Sequence, residues 1–94
     1  MIEFEWDTGK ATENIRKHGV SFDEARTAFA DPLSLTIPDP EHSEGEYRYL
    51  LLGTTATKRL VVVSHTYREQ RIRIINARIA NRRERKDYEK NRVR

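Results

Sequence analysis

The sequence predicts an α+β domain: an antiparallel sheet with two N-terminal helices on one face and a short C-terminal helix, in the order β-α-α-β-β-β-β-α. Three observations lead there. Residues 2–6, 33–38, 47–54, 58–68 and 71–80 read as strands from apolar alternation or from Val, Ile, Leu and Tyr content. Two capped helical stripes fill the interval between the first and second of these segments. From residue 47 onward the strands are separated only by short turn-like breaks, Gly53-Thr54-Thr55-Ala56-Thr57 and Arg68-Glu69-Gln70, which suit hairpins and therefore antiparallel neighbours.

Taken in order, IEFEW at 2–6 alternates apolar and acidic residues, which turns Ile2, Phe4 and Trp6 inward. Asp7 or Thr8 can cap a helix over 10–18 whose Ala11, Ile15 and His18 share one face, with Gly19 at its end. Ser21 followed by Glu24 is a capping box, and Phe22, Ala25, Ala28 and Phe29 form the stripe of a second helix that Asp31-Pro32 stops. The four later strands follow. A basic helix from about Asn81 to Asn91 closes the chain.

The 94 residues suit one domain, 1–94, with no repeat and no linker. At that size about two-thirds of the unfolded surface can be buried, so the core is modest. Charged residues make up 35% and hydrophobic ones 36%, but the apolar residues are periodic, which argues for a folded chain. The absence of cysteine excludes disulfides and thiolate metal sites. No apolar run approaches the ~18 residues of a membrane span, and the start lacks a leader pattern. The expectation is a soluble cytoplasmic protein without membrane association.

Charge is unevenly placed. Residues 1–46 hold 4 Lys and Arg against 11 Asp and Glu, and residues 47–94 hold 14 against 4, so a net +3 hides halves of −7 and +10. A separated cationic surface attracts polyanions, above all phosphate backbones. An arginine-rich terminal helix can also be simply a solvated face.

Several segments together resemble one family. FEWD at 4–7, KHGVSFDEA at 17–25, Phe29-Ala30-Asp31-Pro32, Glu46-x-Arg48, LVVVSHT at 60–66, IRIINAR at 72–78 and RRERKDYE at 82–89 are similar to the BrnT toxins, nearly end to end. The resemblance implies a RelE-like fold and a ribonuclease toxin of a type II toxin–antitoxin pair. It also implies neutralisation by a BrnA-type antitoxin that carries its own DNA-binding domain, so that DNA is met only through the antitoxin. Because such DNA-binding domains usually dimerise, a heterotetramer of two toxins and two antitoxins is expected, with an acidic antitoxin segment over the basic surface.

The chemistry is read from the residues present. Cleaving RNA without a metal needs a base for the 2′-hydroxyl proton, an acid for the leaving 5′-oxygen and fixed cations beside the phosphate. No carboxylate or histidine cluster has a usual metal-ligand pattern, so no metal and no cofactor is expected. His65, Arg73, Arg78 and Arg48 are the candidate catalytic residues. Arg71 and Arg73 share a face of one strand, and hairpin neighbours lie within about 5–8 Å, so His65, Arg71 and Arg73 would converge if register and face agree. The same spacing fits a half-buried His65 bonded to a neighbour.

Arg48 at the start of YRYLLLG suits a two-pronged phosphate contact or a cross-strand ion pair. Lys17, His18, Arg71, Arg82, Arg83 and Arg85 complete the set as candidate RNA contacts. His18 also suits a structural role at a helix C-terminus, worth about 0.3–1 kcal/mol, and Lys17 an ordinary surface position. His42 lies in the acidic PDPEHSEGE loop, which is set aside as unwelcoming to RNA. The ligand is accordingly expected on the side formed by residues 47–85. The competing reading is a binding module without chemistry, either for nucleic acid or for a protein partner. It requires the basic patch but no aligned acid and base.

Overall fold

The computed structural model describes residues 2–42 and 45–92, the side chains of His42 and Arg92 excepted. Strands β1 (Glu3–Glu5), β2 (Leu35–Pro38), β3 (Arg48–Thr54), β4 (Leu60–Arg68) and β5 (Arg71–Ile79) are joined by helices α1 (Thr8–His18) and α2 (Phe22–Thr27). Helix α3 (Arg82–Arg92) follows them. Two short 3-10 turns, Ala28–Ala30 and Pro40–His42, complete the order, which is the predicted β-α-α-β-β-β-β-α.

The strands form one sheet in the order β1-β5-β4-β3-β2. Three of its four pairings are antiparallel, as expected, but β1 joins β5 in parallel with Phe4 beside Ile72 and Glu5 beside Arg73. The alternation in IEFEW turns Phe4 and Trp6 inward as expected, whereas Ile2, ahead of the strand, stays 61% exposed. Alternation does not dictate the direction of pairing, and here the edge next to β5 is the one on which Phe4 meets the core while Glu5 meets arginines. At the other edge β2 ends at Pro38, whose missing N–H is tolerated on an edge strand.

Local chemistry explains the boundaries. Asp7 caps α1 by accepting from the Lys10 amide at 2.9 Å, and Gly19 ends it with φ 67°. Ser21 caps α2 by accepting from the Glu24 amide at 2.9 Å, but the second half of the predicted capping box is missing. Glu24 instead turns to Arg59, Thr55 and Thr57, so α2 is tied to the β3–β4 loop. The Arg59 guanidinium holds the Glu24 carboxyl down at about 2. Glu69 and Gln70 both take positive φ, 48° and 69°, as a two-residue turn between twisted strands requires.

Two apolar clusters sandwich the sheet. On what we call the helix face, Val20, Phe22, Ala25 and Ala28 pack on Leu51, Val61, Val63, Ile74 and Ala77, with Phe4, Trp6, Ala11 and Phe29 around them. Gly53 lets β3 approach this layer, since a Cβ there would lie 2.9 Å from the Ala28 carbonyl oxygen. On the far face, Tyr88 of α3 packs with Leu60, Val62 and Ala80 against Leu50 and Leu52. The C-terminal helix therefore lies across the sheet from α1 and α2.

One expectation about α1 is corrected. Ile15 is 52% exposed and His18 faces solvent, while Asn14 points inward at 4% exposure. Asn14 donates to the Val20 and Ala77 carbonyls, both at 2.8 Å, and accepts from the Ala77 amide at 3.1 Å. A polar side chain satisfied in this way can be buried, and it rotates the inward stripe to Ala11 and Asn14.

Candidate active site

Alternation along β3 and β4 sends Tyr49, Leu51, Val61, Val63 and His65 to the helix face, and Arg48, Leu50, Val62, Ser64 and Thr66 to the far face. The far face is covered by α3 only at one end. On the remainder, Arg48, Leu50, Val62, Ser64, Asn76 and Arg78, with Asp39 and Glu41 from beyond β2, line an open cleft of about 250 Å³.

A bulge decides which arginines share this face. In β5, Asn76 pairs with Ser64 and Ile74 with His65, so Ile75 is an inserted residue. Because of it Arg73, opposite Thr66, and Arg78, opposite Val62, lie on the same side even though their numbers have opposite parity. Arg48 pairs with Thr66 from β3, so Glu5, Arg73, Thr66 and Arg48 form one row across four strands.

Carboxylates orient these guanidinium groups. Arg78 donates both of its terminal nitrogens to Glu84, each at 2.8 Å. Glu84 in turn accepts from the Asn81 amide at 2.8 Å and donates its own amide to Asn81 Oδ1 at 2.8 Å, a reciprocal cap at the start of α3. The pair holds the Glu84 carboxyl below and the Arg78 guanidinium above their ordinary values. Glu5 gathers Arg73 at 2.8 Å, Arg71 at 3.8 Å and Arg68 at 4.0 Å. Arg48 lies 3.6 Å from Glu46.

The expected convergence of His65 with Arg71 and Arg73 does not occur. The register places Thr66, not His65, opposite Arg73, so the imidazole lies on the other side of the sheet. His65 is fully buried, with Phe29 edge-on at 4.8 Å, Tyr49 stacked at 5.9 Å and Tyr67 edge-on at 5.5 Å. Its Nδ1 meets the Val63 carbonyl at 3.1 Å, and its Nε2 has no hydrogen-bond partner among the described residues. Burial pushes its pKa below the ordinary 6.5.

The other candidates are scattered. Lys17, 3.7 Å from Glu13, and His18 line a separate shallow hollow with Lys10, Asn14, Ile75 and Asn76. Arg71 is exposed beside Glu5, and Arg82, Arg83 and Arg85 are exposed on α3. The side chain of His42 lies outside the described residues.

Reading the sequence by charge missed Asp39, Glu41, Ser64 and Asn76. The acidic loop cannot be kept away from the basic side, because β2 and β3 are hairpin partners and the Asp39 amide donates to the Arg48 carbonyl at 2.8 Å. That pairing was the available signal. Chemically, the cleft offers two guanidinium groups, a hydroxyl, an amide and two carboxylates, a set suited to gripping and polarising a phosphodiester.

Comparison with known proteins agrees with this architecture. Residues 6–84 match the family model described as ribonuclease toxin, BrnT, of type II toxin-antitoxin system. The fold is similar to the crystal structure of the Brucella abortus ribonuclease toxin BrnT, with a TM-score of 0.68 and 19% identity over 87% of this chain and 100% of that one. No curated protein matches in sequence.

Proposed function

The chain belongs to the BrnT family of ribonuclease toxins of type II toxin–antitoxin systems, and from that premise we propose that its far-face cleft cleaves RNA without a metal and so inhibits translation in the cytoplasm. The single observation that carries this reading is the joint presence of Arg48 and Arg78 on an open sheet face with Ser64 and Asn76 between them. The Arg78 guanidinium, fixed by two hydrogen bonds to Glu84, and that of Arg48, 3.6 Å from Glu46, would meet the non-bridging oxygens of a phosphodiester as charge develops there. Being already held, the Arg78 group loses little freedom on binding. Arg73 and Arg71 extend the cationic track along β5, and Arg82, Arg83 and Arg85 extend it along α3, as contacts that grip backbone without reading sequence. Lys17 and His18 mark a second point of contact on the opposite side of β5. With these cations in place, cleavage that survives EDTA is expected.

The partner in this proposal is a BrnA-type antitoxin whose acidic segment covers the cleft, in a complex of two toxins and two antitoxins assembled through the antitoxin's DNA-binding domains. In the test, the protein is expressed alone and with the antitoxin, and the purified protein is incubated with RNA in EDTA. Growth arrest relieved by the antitoxin, and cleavage that stops when the 2′-hydroxyl at the scissile position is replaced by hydrogen, are the expected results. Normal growth with abundant folded protein, or tight RNA binding with no cleavage, would leave a binding module instead.

A further inference from the structure

We propose that Asp39 is the general base of this site, the group that takes the 2′-hydroxyl proton; the proposal rests on the ribonuclease reading above. Among the described residues lining the cleft, only Asp39 and Glu41 can accept a proton at neutral pH. The guanidinium groups of Arg48 and Arg78 are already protonated, Ser64 and Asn76 have no basic atom, and Leu50 and Val62 are apolar. His65, the imidazole that the sequence offers for the task, faces the opposite side of the sheet and is fully buried.

Position separates the two carboxylates. Asp39 directly follows β2, is half-buried, and is fixed by its amide, which donates to the Arg48 carbonyl at 2.8 Å. The bond sets the Asp39 backbone beside the strand that carries Arg48, and from there its side chain lines the cleft, where a proton transfer needs a placement of about 3 Å. Glu41 lies two residues further on, inside the 3-10 turn Pro40–His42, and is exposed. A longer side chain on an exposed turn is a poorer fixed base.

The step balances as follows. The 2′-oxygen gives its proton to a carboxylate oxygen of Asp39 and forms a bond to phosphorus. The bond from phosphorus to the 5′-oxygen breaks, and the leaving 5′-oxygen takes a proton from solvent. The products are a 2′,3′-cyclic phosphate and a 5′-hydroxyl, and Asp39 returns its proton to water. Arg48 and Arg78 neutralise the phosphorane while it lasts.

The experiment measures single-turnover cleavage and RNA affinity for the wild type, D39N, E41Q and R78A, with thermal melts to establish folding. D39N should lose about 10²–10⁴-fold in rate with RNA affinity retained, because the exchange removes basicity and keeps shape. D39A should recover part of its activity in formate, which can occupy the vacated space and accept the proton. E41Q should lose far less rate than D39N. Wild-type rate in folded D39N alongside an impaired R78A would overturn the assignment and leave the ribonuclease reading standing. Loss of activity in E41Q alone would overturn it in favour of the neighbouring carboxylate. A wild type that binds RNA and never cleaves it would overturn both readings.

Discussion

The two faces of the sheet are built from the same three strands and share almost no chemistry. The helix face is closed: nine buried residues from the α1–α2 connection, α2, the 3-10 turn after it and the strands interlock with four partly buried neighbours, and the His65 imidazole is sealed among aromatic rings. The far face is half closed by Tyr88 and the rest of α3 and half open, and the open half carries Arg48, Arg73 and Arg78. The lesson is that stability and charge are kept apart by the alternation of a strand. A burial-driven face sits behind a polar one, so the arginines are oriented by rigid strands while their side chains stay partly exposed.

The sharpest way to break that separation is to insert one alanine between Ala77 and Arg78, which moves Arg78 opposite Val61 and turns it to the helix face while Arg73 keeps its place opposite Thr66. Cleavage by the purified insertion variant should fall by at least the ~10²–10³-fold that follows loss of one fixed stabilising group. Deleting Ile75 instead straightens the ladder, leaves Arg73 opposite Thr66 and Arg78 opposite Val62, and should cost far less cleavage. An active insertion variant would show that the two arginines need not stand together.

Arg78→Ala tests one face alone. It should lower cleavage by about 10²–10³-fold and lower stability by about 1 kcal/mol or less, because the pair with Glu84 is part-exposed. Arg26→Ala, which removes an equally charged but exposed partner of Asp23 on α2, should stay within about 0.5 kcal/mol and leave cleavage unchanged. Denaturation and initial rates on both variants make the comparison. Equal activities would move the site off the far face.

His65 tests the other face. His65→Ala should cost on the order of 2–4 kcal/mol through the cavity it leaves, with the folded fraction still cleaving at the wild-type rate. His65→Phe should cost less, since the ring still fills the site and only the Nδ1 contact with the Val63 carbonyl is lost, Nε2 having no hydrogen bond to give up. The pH dependence has a definite sign. The folded-state pKa lies below 6.5, so protons favour the unfolded chain. The contribution is fully present above 6.5 and declines as pH falls below that value. Melting temperatures of wild type and His65→Phe between pH 7.5 and 5 should diverge accordingly. A catalytic role would appear instead as lost turnover in a fully folded His65→Phe.

The smallest effect is expected from Glu24. Its carboxyl, held at about 2 by Arg59, adds stability that is complete above the ordinary 4.5 and lost as pH falls toward 2. Arg59 is part-exposed, so solvent screens the pair. Glu24→Gln should flatten the acid limb of the unfolding curve without altering cleavage.

How much could be read in advance depends on whether a signal is local. Caps at Asp7 and Ser21, the stop after Phe29 and the turn at Glu69-Gln70 are written in adjacent residues, and the elements appear where those residues place them. The inward stripe of α1 was missed because Asn14 is polar, and only the Ala77 backbone 63 residues away makes its burial favourable. The direction of β1 and the face of His65 depend on register, which alternation does not encode. The bulge at Ile75 has no glycine or other local mark, yet it puts Arg78 on the same face as Arg73. The acidic loop was misread because charge balance along the chain was taken for charge balance in space. Asp39 crosses from the negative half into the cleft by a single strand pairing.

The parallel union of β1 with β5 also has a consequence for synthesis. Glu5 meets Arg73 across 68 positions of chain, so the first strand to leave the ribosome must wait for the last one before it has a neighbour. Arg78 belongs to that same last strand. A nascent chain therefore acquires its edge and its arginine row at the same late moment, and no shorter translation product carries an assembled cleft. Released chains ending at Gln70 should leave the first strand open to protease, and released chains extended past Ile79 should protect it, so that the cleft is assembled only after the fifth strand has been made.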